Sequence, residues 1–335
     1  MRYDAAVIGA GPAGAFSALR LSRLGHRTLI IDPLDKKKIC AGILTARYAG
    51  KYGVNEAFLE REIKGVRISF HDIMAEITYR NAVEYSIDRE AYDSFNLNLA
   101  LSSGTDLKKD PVLSIEEQED SLIILTKRER IVADYAIVAS GVSEISRLCG
   151  GATKYAFCVQ QKKEERPQDY FEMNLHSGGY SWKSPKKDNV LVGTSSLESY
   201  PDVPGEKALI PLEPAKKTFS GRFLIAGDAA GFVSPFEGEG IYYARRSGEM
   251  AAEVLSGAMS GENELADYEK LWKKEFDFSI LKMLSGLLKS DRILEIFVRS
   301  LRDNGRFNKL IEDILTKEKK DERRKDISFL QKSLI

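Results

Sequence analysis

The sequence predicts an α/β fold in which a mostly parallel sheet with helices is joined to a β-rich region and to C-terminal helices. Three observations predict this architecture. A strand, a glycine turn, a helix and a second strand follow one another within the first 32 residues. Short strands with alternating apolar residues fill the middle of the chain. Apolar residues recur at helical spacing from Leu265 to Lys317, including Ile280, Leu281, Leu284 and Leu287, with an interruption near Asn304 and Gly305.

The N-terminal unit has the pattern of a dinucleotide-binding site. A buried strand is predicted at Ala5 to Ile8 and a helix at Ala13 to Leu24, and Asp32 closes the second strand. The glycines of the G-x-G-x-x-G pattern between them are Gly9, Gly11 and Gly14. Such glycines allow a tight turn, the close approach of a pyrophosphate and close helix packing, while the helix N-terminus attracts phosphate and the acidic residue binds ribose. Because strand and helix flank the glycines, a ligand site is favoured over a plain turn.

A second glycine turn lies near the far end of the core. The apolar run Arg222 to Ala226 predicts a strand that leads into Gly227 and Asp228, and a helix is predicted from Gly238 and Gly240 to about Ser256. Taken alone, this turn is equally consistent with an aspartate that caps a helix. Paired with the first turn, it indicates an extended dinucleotide that spans both, with Asp228 accepting hydrogen bonds from its hydroxyls and the helix dipole directed at it.

The remaining patterns divide the chain into three regions. Strands are predicted at Val66 to Phe70, Ala75 to Tyr79, Ser121 to Thr126, Arg130 to Ala133 and Tyr135 to Ala139, and a helix opens at Asp88. We expect a discontinuous cofactor-binding domain, a β-rich substrate domain and a C-terminal helical region. The cofactor-binding domain is expected to comprise residues 1–65, 82–150 and 215–260. The substrate domain is expected at 66–81 and 151–214, and the helical region at 261–335.

Composition excludes several classes of protein. Lys plus Arg equals Asp plus Glu at 50 each, so no basic field indicates a nucleic-acid partner. The cysteines Cys40, Cys149 and Cys158 have no C-x-x-C spacing and the histidines no ligand spacing, which predicts a reducing cytoplasm and no metal site. No apolar run approaches the roughly 18 residues that span a bilayer. Any membrane contact is therefore expected to be peripheral.

Further motifs resemble those of the FAD-dependent geranylgeranyl reductases, within the para-hydroxybenzoate hydroxylase-like flavoproteins. They are Lys38-x-Cys40-x-Gly42, Asp88-Arg89-x-x-Tyr92-Asp93, Gly179-Tyr180-x-Trp182-x-x-Pro185, the run from Gly227 to Ile241, and Tyr268-x-x-x-Trp272-x-x-x-Phe276. The run from Gly227 is the most specific of them. The resemblance covers nearly the whole chain and implies a Rossmann-like FAD-binding domain with a β-rich substrate domain and C-terminal helices.

Carried over by matching positions, the resemblance implies which residues hold the cofactor. The expected FAD-binding residues are Gly9, Gly11, Ala13, Gly14, Asp32, Cys40, Ala41, Gly42, Arg89, Gly141, Gly227, Asp228, Gly238, Gly240 and Ile241. Cys40, Tyr180 and Trp182 are expected to border the substrate side of the flavin and are the candidate catalytic residues. Packing roles compete with catalysis, because free cysteines are commonly buried and because Tyr180 and Trp182 alternate on one face of a strand.

Three departures from the family pattern concern the substrate side. Ser184 precedes Pro185 where the family usually has Phe, which removes one apolar wall of the expected cavity. The stretch between Gly193 and Ala208 is much shorter than the family's, which predicts an open or small cavity. Ser140 stands before Gly141 where the family has Asp, which alters an expected polar contact to FAD.

The resemblance implies reduction of C=C bonds in an isoprenoid lipid or its precursor. Such a reaction needs hydride from the flavin and a proton from a positioned acid in a water-poor site, for which Cys40 and Tyr180 are the candidates. The alternatives are a flavin monooxygenase of a small hydrophobic substrate and a flavin-binding electron-relay protein. No second complete G-x-G-x-x-G follows a strand, so NAD(P)H or a ferredoxin is expected to bind transiently. A tail around Ile327, Phe329 and Leu330 suggests peripheral membrane contact, against ordinary amphipathic packing as the alternative.

Overall fold

The computed structural model describes residues 2–35, 37–235, 238–276, 278, 282, 286 and 290–316. Its strands are β1 (Arg2–Ile8), β2 (Thr28–Ile31), β3 (Ile43–Thr45), β4 (Leu59–Ile63), β5 (Gly65–Phe70), β6 (Ile73–Thr78), β7 (Glu84–Ile87), β8 (Asp106–Lys108), β9 (Val112–Glu117), β10 (Leu122–Thr126), β11 (Arg130–Val138), β12 (Tyr155–Lys163), β13 (Tyr170–His176), β14 (Gly179–Pro185), β15 (Val190–Ser196), β16 (Glu206–Pro211), β17 (Phe219–Ser220) and β18 (Phe223–Ile225). Its helices are α1 (Pro12–Arg23), α2 (Ala46–Tyr52), α3 (Arg89–Ser102), α4 (Glu144–Leu148), α5 (Ile241–Ser260), α6 (Ala266–Glu275), α7 (Asp291–Asp303) and α8 (Gly305–Thr316).

The first sheet has eight strands and a parallel centre. β1 lies between β2 and β11, β8 extends the sheet beyond β2, and all of these strands are parallel. The sequence predicted two strands, at Arg130 to Ala133 and at Tyr135 to Ala139, but one continuous β11 is found. Its first half pairs with antiparallel β10 and its second half with parallel β18, so a single long strand serves two neighbours on one side.

Helices α1 and α5 cover one face of this sheet and contact each other closely. A Cβ atom on Gly248 of α5 would lie 2.2 Å from the carbonyl oxygen of Ala13. The Ser17 hydroxyl donates to the carbonyl oxygens of both Ala13, at 2.7 Å, and Gly248, at 3.1 Å. Strands β10 and β9 continue the sheet from the first half of β11 and pack through the fully buried Ile124 against Ala6 and Ile31 on its opposite face. The result is an α/β unit.

The second sheet has seven strands in the order β16-β12-β15-β14-β13-β5-β6 and is antiparallel except between β13 and β5. Helices α7 and α8 cover one of its faces, where Phe297, Leu301 and Phe307 pack against Ile73 and Leu175. The break between these helices falls at Asn304, where the sequence predicted an interruption. A small sheet of β3, β7 and β4 completes the fold.

The α/β fold class predicted from the sequence is confirmed. The seven-stranded sheet is built from residues within 65–78 and 155–211, while the division into three domains stays our proposal. Among the residues that the structure describes, no helix has the length and apolar character needed to cross a membrane. The predicted helical positions Ile280, Leu281, Leu284 and Leu287 and the tail residues Ile327, Phe329 and Leu330 lie outside the described residues.

Candidate active site

The three glycines of the first turn have different surroundings. Gly9 has a φ of +106°, and a Cβ atom there would lie 2.4 Å from the Ala139 carbonyl oxygen. A Cβ atom on Gly14 would lie 1.9 Å from the Gly9 carbonyl oxygen, whereas one on Gly11 would meet no atom within 4 Å. Gly9 and Gly14 are therefore required by backbone packing, and Gly11 borders open space in front of α1.

The first turn presents backbone donors and a fixed carboxylate. Gly11 is the N-cap of α1, and no side chain caps the helix, so its first N–H groups are directed at the space beside Gly11. Asp32 lies at the end of β2, where its carboxylate accepts hydrogen bonds from the amides of Ala10, at 2.8 Å, and Leu34, at 2.7 Å. Each carboxylate oxygen keeps acceptor capacity for a ribose hydroxyl.

The second turn lies directly against the first. A Cβ atom on Gly227 would lie 2.9 Å from the Cβ atom of Ala13, which is buried in the first turn of α1. Asp228 lies beside the start of α5, because its Oδ1 atom would be 3.4 Å from a Cβ atom on Gly240. Gly240 is the N-cap of α5 without a side-chain cap, and Ile241 begins the helix as a buried residue.

These surroundings fit FAD. An anionic dinucleotide laid across both turns would meet two helix N-termini that no side chain caps. It would also meet the open space at Gly11 and the fixed carboxylate of Asp32. Gly141 follows β11 and also borders open space. Asp228 accepts a hydrogen bond from Lys38 Nζ at 2.8 Å, so a neighbouring cation shares the carboxylate that was predicted to bind the cofactor. The individual cofactor contacts stay predictions.

The loop from Cys40 to Gly42 is held by side chains of the seven-stranded sheet. Gln160 Nε2 donates to the Cys40 carbonyl oxygen at 3.2 Å, and Ser184 Oγ donates to that of Ala41 at 3.3 Å. Lys186 Nζ donates to the Gly42 carbonyl oxygen at 3.4 Å. Three consecutive carbonyl groups are thus bound by donors from β12, from β14 and from the residue after β14. The loop is thereby fixed to the second sheet.

Buried charges surround the same loop. Lys186 is 5% exposed, lies 3.3 Å from Glu60 Oε2 and also donates to the Ile87 carbonyl oxygen at 2.8 Å. Burial lowers the pKa of Lys186, although Glu60 acts in the opposite direction. Arg89 binds Asp93 through Nε at 3.0 Å and also interacts with the Cys40 side chain.

Tyr180 and Trp182 share one face of β14. Tyr180 is half-buried, and its hydroxyl oxygen would lie 2.5 Å from a Cβ atom on Gly238, so the tyrosine reaches the segment before α5. Trp182 lies across Gly193, whose missing side chain leaves room for the indole ring. Trp182 Nε1 is buried and has no hydrogen-bond partner within the described part of the chain.

The apolar surface around Tyr180 and Trp182 connects the Cys40 loop with the cluster under α7 and α8. Ala41 and Ile43 pack against the cluster around Trp182, while Tyr180 and Met173 contact both that cluster and the one under α7 and α8. One face of the second sheet is therefore apolar without a break from α7 and α8 to the Cys40 loop.

The departures from the family pattern acquire physical explanations. Ser184 is fully buried and binds the Ala41 carbonyl oxygen, so it adds a polar support to the loop where the family has an apolar ring. Ser140 contacts the hydroxyl of Ser143 at 2.8 Å, and Ser143 caps α4. The short segment between β15 and β16 carries no described helix. Helices α7 and α8 cover part of the sheet instead.

Sequence reasoning missed the buried ion pair of Arg47 and Glu239. Both side chains are 4% exposed, and Thr45 also donates to Glu239. The guanidinium group lies over the ring of Tyr242, 4.2 Å from its centroid. The pair fixes the segment between Gly238 and Gly240, and a charged residue between two glycines was its only signal. Gln160 and Lys186 were missed as well, although Lys186 directly follows a recognised motif.

Comparisons with known proteins agree with this site. Residues 3–168 match the family of pyridine nucleotide-disulphide oxidoreductases. The digeranylgeranylglycerophospholipid reductase of Methanococcus vannielii is 28% identical over 90% of this chain and 88% of its own length. The geranylgeranyl diphosphate reductase of Rhodobacter capsulatus is 27% identical over 90% and 89%, respectively. A geranylgeranyl bacteriochlorophyll reductase-like structure from Thermoplasma acidophilum, 22% identical, covers 100% of this chain and 99% of its own with a TM-score of 0.81.

The structural neighbour shows that this chain shares its fold, with a Rossmann-type domain that carries the paired glycine turns. The match of residues 3–168 to an oxidoreductase family agrees with a cofactor-binding role of these turns. The resemblance to the geranylgeranyl reductases that the motifs predicted is confirmed by relatives with those names along nine tenths of the chain.

Substitutions of Gly11 and Gly14 by alanine should separate cofactor binding from packing. We expect Gly11→Ala to weaken FAD binding about tenfold or more while the thermal stability of the FAD-free protein stays unchanged, because the new methyl group enters only open space. Gly14→Ala should lower that stability, because its methyl group meets the Gly9 carbonyl. Flavin fluorescence titration and thermal unfolding measure the two effects. Equal FAD affinity in Gly11→Ala and the native protein would contradict the site.

Proposed function

We propose that this protein reduces C=C double bonds of a geranylgeranyl-type isoprenoid lipid or its precursor. The observation that carries the proposal is the apolar face of the second sheet, which leads through Tyr180 and Trp182 to the Cys40 loop. A hydrocarbon chain suits such a surface because its burial there is favourable. The names of the similar reductases support the same substrate class.

Reduction of an alkene also requires a proton, which we expect a side chain of the site to donate. Bound FAD, when reduced, supplies a hydride. We propose Cys40 as the proton donor, because its side chain interacts with Arg89 and its sulfur is held by the Gly42 amide at 3.3 Å. The Tyr180 hydroxyl, beside Gly238, is the alternative donor. We expect Trp182, which is buried beside Tyr180, to border the substrate and to keep water from it.

Reduced protein should transfer its electrons to geranylgeranyl diphosphate. After anaerobic photoreduction of the FAD-loaded protein, we expect the substrate to reoxidise the flavin and to gain one pair of hydrogens per double bond in mass spectra. The fully saturated analogue is the matched control and should leave the flavin reduced. Absence of reoxidation by the unsaturated substrate, or by an unsaturated archaeal-type lipid, would refute the reductase proposal.

Substitutions should identify the proton donor. Loss of a general acid typically costs about 100-fold or more in rate, so we expect such a decrease for Cys40→Ser and a smaller one for Tyr180→Phe. Single-turnover flavin reoxidation measures both variants under the same anaerobic conditions. A large effect of Tyr180→Phe combined with a near-native Cys40→Ser would assign the proton to the tyrosine.

The two other functional classes predict different products. A monooxygenase would consume oxygen and hydroxylate its substrate, and an electron-relay protein would bind flavin but leave every prenyl compound unchanged. Oxygen uptake and product analysis therefore distinguish both from the proposed reductase.

The electron donor is proposed to be NAD(P)H or a ferredoxin that binds transiently. We expect one of them to reduce the flavin in anaerobic stopped-flow measurements. A saturated prenyl analogue should slow reduction by NAD(P)H, which must reach the flavin through the same cavity, more than reduction by a ferredoxin, which can dock outside. If neither donor reduces a protein that can be photoreduced, this proposal is wrong.

We also propose peripheral membrane contact of a protein that works in the reducing cytoplasm. The lipid substrate and the mixed basic and apolar tail support it. Full-length protein should co-sediment with anionic liposomes more than a variant truncated after Lys317. Equal sedimentation of the two proteins would mean that the tail is not an anchor.

A further inference from the structure

The buried lysine that follows β14 contacts both the Cys40 loop and the small sheet. Lys186 Nζ donates to the Gly42 and Ile87 carbonyl oxygens, and the Ile87 amide itself donates to Gly42 at 2.8 Å. Gly42 has a φ of +67°, and a Cβ atom there would lie 2.6 Å from both Lys186 Nζ and the Ile87 oxygen. The turn is thus closed around the ammonium group.

This turn also determines the position of the Cys40 sulfur. The Gly42 amide donates to Cys40 Sγ at 3.3 Å, so the residue whose carbonyl binds Lys186 uses its N–H group to hold the sulfur. A lysine charge is expensive to bury, and Glu60 supplies its counter-charge at 3.3 Å. A neutral hydrogen-bond donor at this position would bind the Gly42 and Ile87 carbonyl groups without the cost of burying a charge. The positive charge of Lys186 therefore indicates a role beyond support of the turn.

We propose that Lys186 is a positioning residue that orients Cys40 through the Gly42 turn and keeps its sulfur in a positively charged environment. The proposal deepens the proposed function, because it rests on Cys40 facing the flavin as the proton donor. Lys186 itself does not contact the reacting atoms.

Other charged groups near the pair are accounted for. Arg89 is the second cation beside Cys40, and it is neutralised by Asp93. Glu60 and Asp88 act on Lys186, and Asp93 and the Cys40 side chain act on Arg89. Asp93 in turn is acted on by Lys38 and Asp32. Removal of Lys186 leaves Arg89 in place as a second cation. We therefore expect the reactivity of Cys40 to decrease without being lost.

Cysteine alkylation tests the proposal without any prenyl substrate. Iodoacetamide labelling at several pH values, followed by peptide mapping, gives the rate at each cysteine of the FAD-loaded and FAD-free protein. Cys149 and Cys158 serve as internal controls, because burial raises their pKa to about 11 and about 12, respectively. The thiolate is the reacting species, so the pH profile reports the charge environment of each sulfur.

We expect Lys186→Met to slow Cys40 alkylation near neutral pH several-fold and to move its pH profile upward. The double variant Glu60→Gln with Lys186→Met removes the charge pair together and should show the same shift without leaving a buried carboxylate unpaired. Lys186→Arg should restore much of the native profile. Lys183→Met is the matched control, because Lys183 lies on β14, three residues before Lys186, and pairs with Glu165 at 2.6 Å on the surface.

An unchanged Cys40 profile in folded Lys186→Met and in the double variant would overturn the proposal. A shifted profile in a protein that does not reduce geranylgeranyl diphosphate would support the role of Lys186 and refute the proposed substrate. The two failures are thus distinguishable.

Discussion

The contact of α5 with the first turn of α1 is the constraint on which the cofactor site depends. Ala13 meets Gly227 through its side chain and Gly248 through its carbonyl group, and each glycine leaves too little space for a methyl group. These contacts place two helix N-termini, from distant parts of the chain, on one side of the sheet. The partial positive charges of both helix ends then act on the same region. A single glycine turn could not produce this arrangement.

The second sheet contributes to the site mainly through its hold on the Cys40 loop. Hydrogen bonds from Gln160, Ser184 and Lys186 make the loop conformation depend on strands that follow it by more than a hundred residues. The family's usual phenylalanine at the Ser184 position could not donate such a bond. The hydroxyl of Ser184 therefore gives the loop a hydrogen bond to the second sheet that an apolar ring could not supply.

Local patterns predicted the elements that the backbone builds from nearby residues. The strand, turn and helix around Gly9, the break at Asn304 and the helix after Gly240 depend on glycine placement and periodicity, which are written in the sequence. The Arg130 strand was predicted in two pieces because its continuity depends on two different neighbours. The interaction of Lys186 with Glu60 and that of Arg47 with Glu239 could not be predicted, because charged residues carry no mark of burial.

The ion pairs of Arg47 with Glu239 and of Lys186 with Glu60 face similar energetic limits, because both cations are buried. Removal of one partner from a buried pair typically costs about 3 to 5 kcal/mol, because the other charge is left without compensation. Arg47 is also enclosed by the ring of Tyr242, which adds a cation–π contact to the pair at the start of α5. Lys186 is instead surrounded by carbonyl groups and lies near a thiol. The Arg47 pair thus holds the start of α5 in place. Lys186 instead places a positive charge near the Cys40 sulfur, whose reactivity we propose it to affect.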